Sequence, residues 1–246
     1  TRATAFVLEF DGEQFNTISK NIRFFLRATK LNDTTHLLFG QSSSLGGVFS
    51  GKTYEVKWDK KKYVSKKQIL PSKKINVLGL AYGPIMNKNA IVAYNRSDYI
   101  KIFDTKGEEV WSSEEAYGGN TLYYKQQARG EASTENIDYL PMRIHIDDLN
   151  NDGSAEVIAV KNHPGKLNFL GKVRYFKKTH IEILTWDGIG LASKWKSRVL
   201  SNYIRDFAIG DFDNDGKDEF VAALVLRESK SFFVKPKSSI IAFDIK

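Results

Sequence analysis

Two nine-residue segments hold the residue types and spacing from which chemistry follows: DLNNDGSAE at 148–156 and DFDNDGKDE at 211–219. In one shared register, oxygen-bearing side chains fall at positions 1, 3, 5 and 9. These are Asp148, Asn150, Asp152 and Glu156 in the first loop, and Asp211, Asp213, Asp215 and Glu219 in the second. Hard oxygen ligands at this spacing suit Ca²⁺, which accepts about six to eight of them. A backbone carbonyl at position 7, from Ser154 or Lys217, would add one more, and Gly153 or Gly216 at position 6 permits the tight turn round an ion. The pattern predicts two Ca²⁺ sites, with the four carboxylates of the Asp211 loop favoured over the three carboxylates and one amide of the Asp148 loop. The competing reading is a pair of ion-free Asp/Gly turns; such turns are common singly, but a doubled register is not.

An EF-hand opens in the same way, but it needs a bidentate Glu at position 12 and flanking helices. Position 12 is Ala159 or Ala222, and the residues there, VIAV and FVAALVL, read as strands. The loops therefore join strand to strand.

The elements that must position these loops come from a repeat. An alternating apolar and polar run ending in an aromatic, then a polar turn, returns five times: FVLEFDGEQF from Phe6, YEVKWDKKKY from Tyr54, YIKIFDTKGEEVW from Tyr99, IEILTWDGIGL from Ile181 and IIAFDIK from Ile240. Each reads as a hairpin. A second hairpin precedes four of them: FFLRATK with HLLFG, NVLGLAYG with AIVAY, RIHID with EVIAVK, and RDFAIGD with EFVAALVL. Two hairpins make a four-stranded meander, and a sheet apolar on both faces needs a neighbour on each side, which is a propeller blade.

The predicted fold is all-β, a single β-propeller over 1–246 with blades at 20–68, 74–113, 140–200 and 203–246. Residues 1–18 supply the outer two strands of a further blade. On this reading the ring does not close within the sequence, and upstream residues are expected to complete it. Only the long polar link 112–139 has room for a short helical turn. Trp58, Trp111 and Trp186 read as inter-blade core.

Composition narrows the function classes. There are no cysteines, which excludes a disulfide framework, a thiolate zinc site and a cysteine nucleophile. The net charge of +8 favours anionic partners. No stretch approaches the ~18 apolar residues of a membrane span, and the first ten residues lack a signal-peptide layout. The four histidines, His36, His145, His163 and His180, fall in different elements without metal-ligand spacing, and no Gly-x-Ser-x-Gly elbow occurs. A hydrolase or lyase with an axial site is the minor alternative to a binding module.

With the repeat and loops in hand, the chain resembles the FG-GAP or VCBS-type repeats, the calcium-loop propeller repeats also found in integrin α-subunit heads. It is most similar to bacterial envelope-type repeat proteins. The resemblance implies Ca²⁺ in the loop joining the first two strands of a blade. The corresponding segments of the first two blades, LNDTTH and GPIMNKNA, have one carboxylate and none, so they depart from the pattern. It also implies a cell-envelope or extracellular location, where millimolar calcium would fill even weak sites. The ion's expected role is structural, since crowded carboxylates repel one another without it.

Loop order in a propeller sends the links between blades and the second-to-third-strand loops to the face opposite the calcium loops. Two of these loops mix basic and aromatic residues: Lys166, Lys172, Arg174, Lys177, Lys178, Lys230, Lys235 and Lys237 with Phe169, Tyr175, Phe176, Phe232 and Phe233. The expected partner of that face is a protein or an anionic glycan. A membrane surface is compatible with it, and nucleic acid ranks lower for want of a motif.

Overall fold

The computed structural model describes residues 4–30, 35–43, 48–70, 75–126, 136–150, 152–165, 174–227 and 235–245. The chain is all-β, with four small antiparallel sheets arranged as a four-blade β-propeller. A hairpin of β1 (Ala5–Phe10) and β2 (Phe15–Ile22) precedes them. The first blade is β3 (Phe25–Lys30), β4 (His36–Gln41), β5 (Thr53–Asp59) and β6 (Lys62–Leu70). The second is β7 (Leu80–Pro84), β8 (Asn89–Tyr94), β9 (Tyr99–Phe103) and β10 (Glu109–Ala116).

A further hairpin, β11 (Tyr123–Gln126) with β12 (Asn136–Tyr139), lies in the link to the third blade. That blade contains β13 (His145–Asp147), β14 (Glu156–Pro164), β15 (Phe176–Trp186) and β16 (Leu191–Lys196), with the two-residue β17 (Leu200–Ser201) pairing to β15. The fourth blade shows three strands among the described residues: β18 (Tyr203–Gly210), β19 (Glu219–Arg227) and β20 (Lys237–Asp244).

Strand periodicity explains why the second blade must lie between two others. Successive side chains on a strand face opposite ways. In β8, Ile91 and Ala93 join a cluster with Phe39, Leu70 and Val77, against the first blade. Ala90, Val92 and Tyr94 join the larger cluster with Met142, Val157 and Ile181, against the third. All five are fully buried, and burying each large aliphatic is worth about 1.5–3 kcal/mol.

Glycine permits close approach where blades meet. A Cβ on Gly83 would lie 2.8 Å from Ile146, and one on Gly190 would collide with the indole of Trp111. Trp111 and Trp186 pack at the core as expected. Trp58 does not: it is about half exposed and meets Tyr63 edge-on within its own hairpin.

Two buried amides bind blade to blade. Gln41, at the end of β4, donates through Nε2 to the carbonyls of Phe49, Gly51 and Ile75, and its Oε1 accepts from Val77 N. Asn162, near the end of β14, donates to the carbonyls of Gly119 (2.7 Å) and Ile204 (2.8 Å) and accepts from Ile204 N at 3.1 Å. Each amide sits on a second strand and holds backbone leading into the next blade.

Two local expectations change. NVLGLAYG does not form one strand: Val77–Gly79 is a 3-10 turn capped by Asn76, whose side chain accepts from Leu78 N. The 112–139 link contains the β11–β12 hairpin among its described residues, held partly by Tyr123 against Tyr139, and no helical turn.

Replacing Asn162 by Ala strands one buried N–H and two carbonyls, and an unsatisfied buried group costs about 1–3 kcal/mol. Urea unfolding should therefore show Asn162→Ala destabilised by at least ~2 kcal/mol. A loss below ~0.5 kcal/mol would contradict the clamp.

Candidate metal centre

Both acidic loops join the first and second strands of a blade: 148–155 links β13 to β14, and 211–218 links β18 to β19. Each is organised by its own amides. The position 5 N–H donates to position 1 at 3.1 Å in both loops (Asp152 to Asp148, Asp215 to Asp211). The position 6 glycine N–H reaches the other oxygen of the same carboxylate, at 2.8 Å for Gly153 and 3.0 Å for Gly216.

Position 5 also donates to position 3, Asn150 or Asp213. The position 7 N–H, from Ser154 or Lys217, donates to position 5 at 2.8 or 2.9 Å. At the far end the Glu at position 9 accepts from the N–H at position 2, Glu156 from Leu149 and Glu219 from Phe212. Gly153 and Gly216 have φ of 88° and 87°, with open space where a Cβ would sit. Conformation, not room, is what demands glycine there.

The two loops share a scaffold but not a centre. Asp211, Asp213, Asp215 and Glu219 bring four carboxylate oxygens within 4.8 Å of one another, and this set could hold a metal ion. Three are exposed and Glu219 is buried. Among the described residues no cation pairs with Glu219 within 4.0 Å, and Lys217 reaches only the exposed Asp215, at 3.3 Å. The Lys217 backbone N–H holds the Asp215 carboxyl below the usual range, with the Lys217 ammonium adding to the effect.

The first loop does not gather its carboxylates in that way. Glu156 is buried and paired with Lys194 Nζ at 3.0 Å. Asn150 Nδ2 donates to Asp152 at 2.9 Å and to Glu156 at 3.4 Å. Ser154 Oγ and Ala155 N bond the second blade's loop, at Asn87 and Pro84.

On the other face, loops and links from three blades surround a cavity of about 230 Å³ lined by Phe49, Asn76, Arg96, Asp98, Tyr139 and Arg174, among others. Arg174 pairs with Asp98 at 2.7 Å and lies over the Tyr139 ring. Burial raises the Asp98 carboxyl to about 6 against the opposing pull of Arg174.

Of the candidate partner-binding residues, Lys177, Lys178, Lys235 and Lys237 are exposed, and Tyr175 is partly buried. Phe176 is core: it is 4% exposed, packs on Tyr203 and closes over Gly119. Lys166, Lys172, Lys230, Phe232 and Phe233 lie outside the described residues, as does Phe169.

A polar network that residue spacing does not reveal lies between the second and third blades. In the β14–β15 register His163 is opposite Lys178 and Lys161 is opposite His180. This brings His163 Nε2 within 2.8 Å of His180 Nδ1, and His180 Nε2 within 2.6 Å of the fully buried Glu182. Lys196 pairs with the same carboxylate at 3.3 Å, and Tyr117 donates to it. The signal was present only in the hairpin register, which aligns i with j across strands. At the inner strands Arg143 clamps Asp206 through two bonds, of 3.0 and 2.8 Å, joining the third blade to the fourth.

No model of a known protein family matches this chain, and no curated protein does either.

The network fixes a pH response. Burial would raise Glu182, but His180 and Lys196 overcome it and hold the carboxyl down at about 2, from 4.5. Burial, His180, Lys161 and Lys178 hold the His163 ring below its ordinary 6.5. Both folded values are depressed, so the unfolded chain binds more protons and stability falls as the pH falls. The His163 contribution is complete above 6.5 and is lost below it, and the Glu182 contribution is lost between 4.5 and about 2. Thermal midpoints measured from pH 7.5 to 3 should fall in both windows, and Glu182→Gln should shrink the lower fall, to which other carboxylates held low, Asp215 among them, also contribute.

Proposed function

We propose that the chain is a calcium-stabilised β-propeller of the FG-GAP or VCBS-type, acting as a binding or scaffolding module for a protein or anionic glycan in the cell envelope or outside the cell. The observation that carries the reading is the convergence of Asp211, Asp213, Asp215 and Glu219 within 4.8 Å at the head of the fourth blade. Oxygen-only donors in a turn of this kind fit a hard cation of variable coordination. Asp213 and Glu219 each bond a backbone N–H through one oxygen, so the loop is shaped before the ion arrives.

The ion's role is structural. Four like charges close together oppose folding of the β18–β19 hairpin, and a divalent cation turns that repulsion into attraction. Partner binding belongs to the opposite face, where Lys177, Lys178, Lys235 and Lys237 are exposed, and the excess of positive charge suits an acidic surface.

Thermal unfolding in added Ca²⁺ against EGTA tests the reading. At about 100 times its dissociation constant an ion stabilises by ~2.7 kcal/mol, which in a domain of this size is about 5–10 °C. Asp211→Ala with Asp213→Ala should abolish the rise. A calcium-independent midpoint in the parent protein would contradict the proposal.

A further inference from the structure

We propose that the first loop carries its own cation: the Lys194 ammonium, with the Asn150 amide, neutralises the buried Glu156 that would otherwise face a metal ion, so that the chain binds one Ca²⁺ and not two. This inference rests on the calcium reading of the Asp211 loop.

Three observations support it. The scaffolds of the two loops agree bond for bond, so a difference in ion binding must arise at the centre. There, the second loop presents four carboxylates to one another, while the first presents donors to its carboxylates. Lys194 Nζ lies 3.0 Å from buried Glu156, and Asn150 Nδ2 is shared between Asp152 at 2.9 Å and Glu156 at 3.4 Å. Lys194 comes from β16, two strands away from Glu156, and is delivered by the β15–β16 register that pairs Leu184 with Ser193. Among the described residues the fourth blade shows three strands and no lysine that reaches Glu219.

The chemistry follows from charge and geometry. A buried carboxylate needs a compensating partner, and Glu156 has one in the chain itself. A Ca²⁺ ion entering this loop would have to expel the ammonium and turn the amide so that its oxygen faces inward. Asn150 Oδ1 accepts from Asp152 N at 3.0 Å as Asp213 does from Asp215 N, but the amide, unlike that carboxylate, has no second oxygen to offer an ion. The same fold thus meets one requirement in two ways: a tethered monovalent cation in the third blade, and a free divalent one in the fourth.

Equilibrium dialysis against Ca²⁺ with elemental analysis is the test. The parent should bind one ion per chain, Asp211→Ala with Asp213→Ala should bind none, and Lys194→Met should bind two. In EGTA, Lys194→Met should also melt lower than the parent, with added Ca²⁺ recovering more of its midpoint than in the parent. Two ions on the parent, with one retained by the Asp211/Asp213 double variant, would overturn this inference and leave the calcium reading standing; one ion on the parent that the double variant retains would overturn both. Binding by neither the parent nor Lys194→Met would overturn both. If Lys194→Met fails to fold, the counts on the parent and the double variant still decide.

Discussion

A sheet with apolar side chains on both faces is stable only between two others, and the second blade is built that way: Ile91 and Ala93 face one neighbour while Val92 and Tyr94 face the other. Hydrophobic contact alone does not fix how the blades register. The buried amides of Gln41 and Asn162 do, because each demands specific carbonyls and N–H groups from backbone that leads into the following blade. Glycines at the contacts set the distance, with Ile146 over Gly83 and Trp111 over Gly190.

That packing also decides where charge is tolerated. Glu156 and Glu219 begin the second strands of the last two blades and are almost inaccessible to water, where a charge is costly unless it is paired and hydrogen-bonded. The third blade has a fourth strand from which Lys194 reaches across. In the fourth blade the corresponding carboxylate faces three others. Glu182, between the second and third blades, is compensated in yet another way, by His180 and Lys196 together. Buried carboxylates recur where blades meet or loops close, and the residues around each are different.

The repeat made the blades legible, because period-two alternation closed by an aromatic and an Asp turn is a local signal that every copy repeats. The four-carboxylate cluster of the Asp211 loop was legible for the same reason, since positions 1, 3, 5 and 9 lie within one turn. What depended on register between distant strands was not. Lys194 meets Glu156, and His163 meets His180, only once β14, β15 and β16 are aligned. Phe176 looked like a binding residue from its basic neighbours, but it faces Tyr203 and Gly119 inside. Trp58 looked like core from its place in the repeat, but it lies on an outer hairpin that leaves it half exposed. The β11–β12 hairpin was hidden in a polar link whose tyrosines pair across strands without alternating apolar residues.

The central claim is that a cation at the Asp211 loop orders the last blade, and amide hydrogen exchange with and without Ca²⁺ tests it most directly. The account predicts that calcium slows exchange in 203–227, the β18–β19 hairpin and its loop, well beyond any change in β8 and β9 of the second blade. Equal exchange in 203–227 with and without calcium would contradict it.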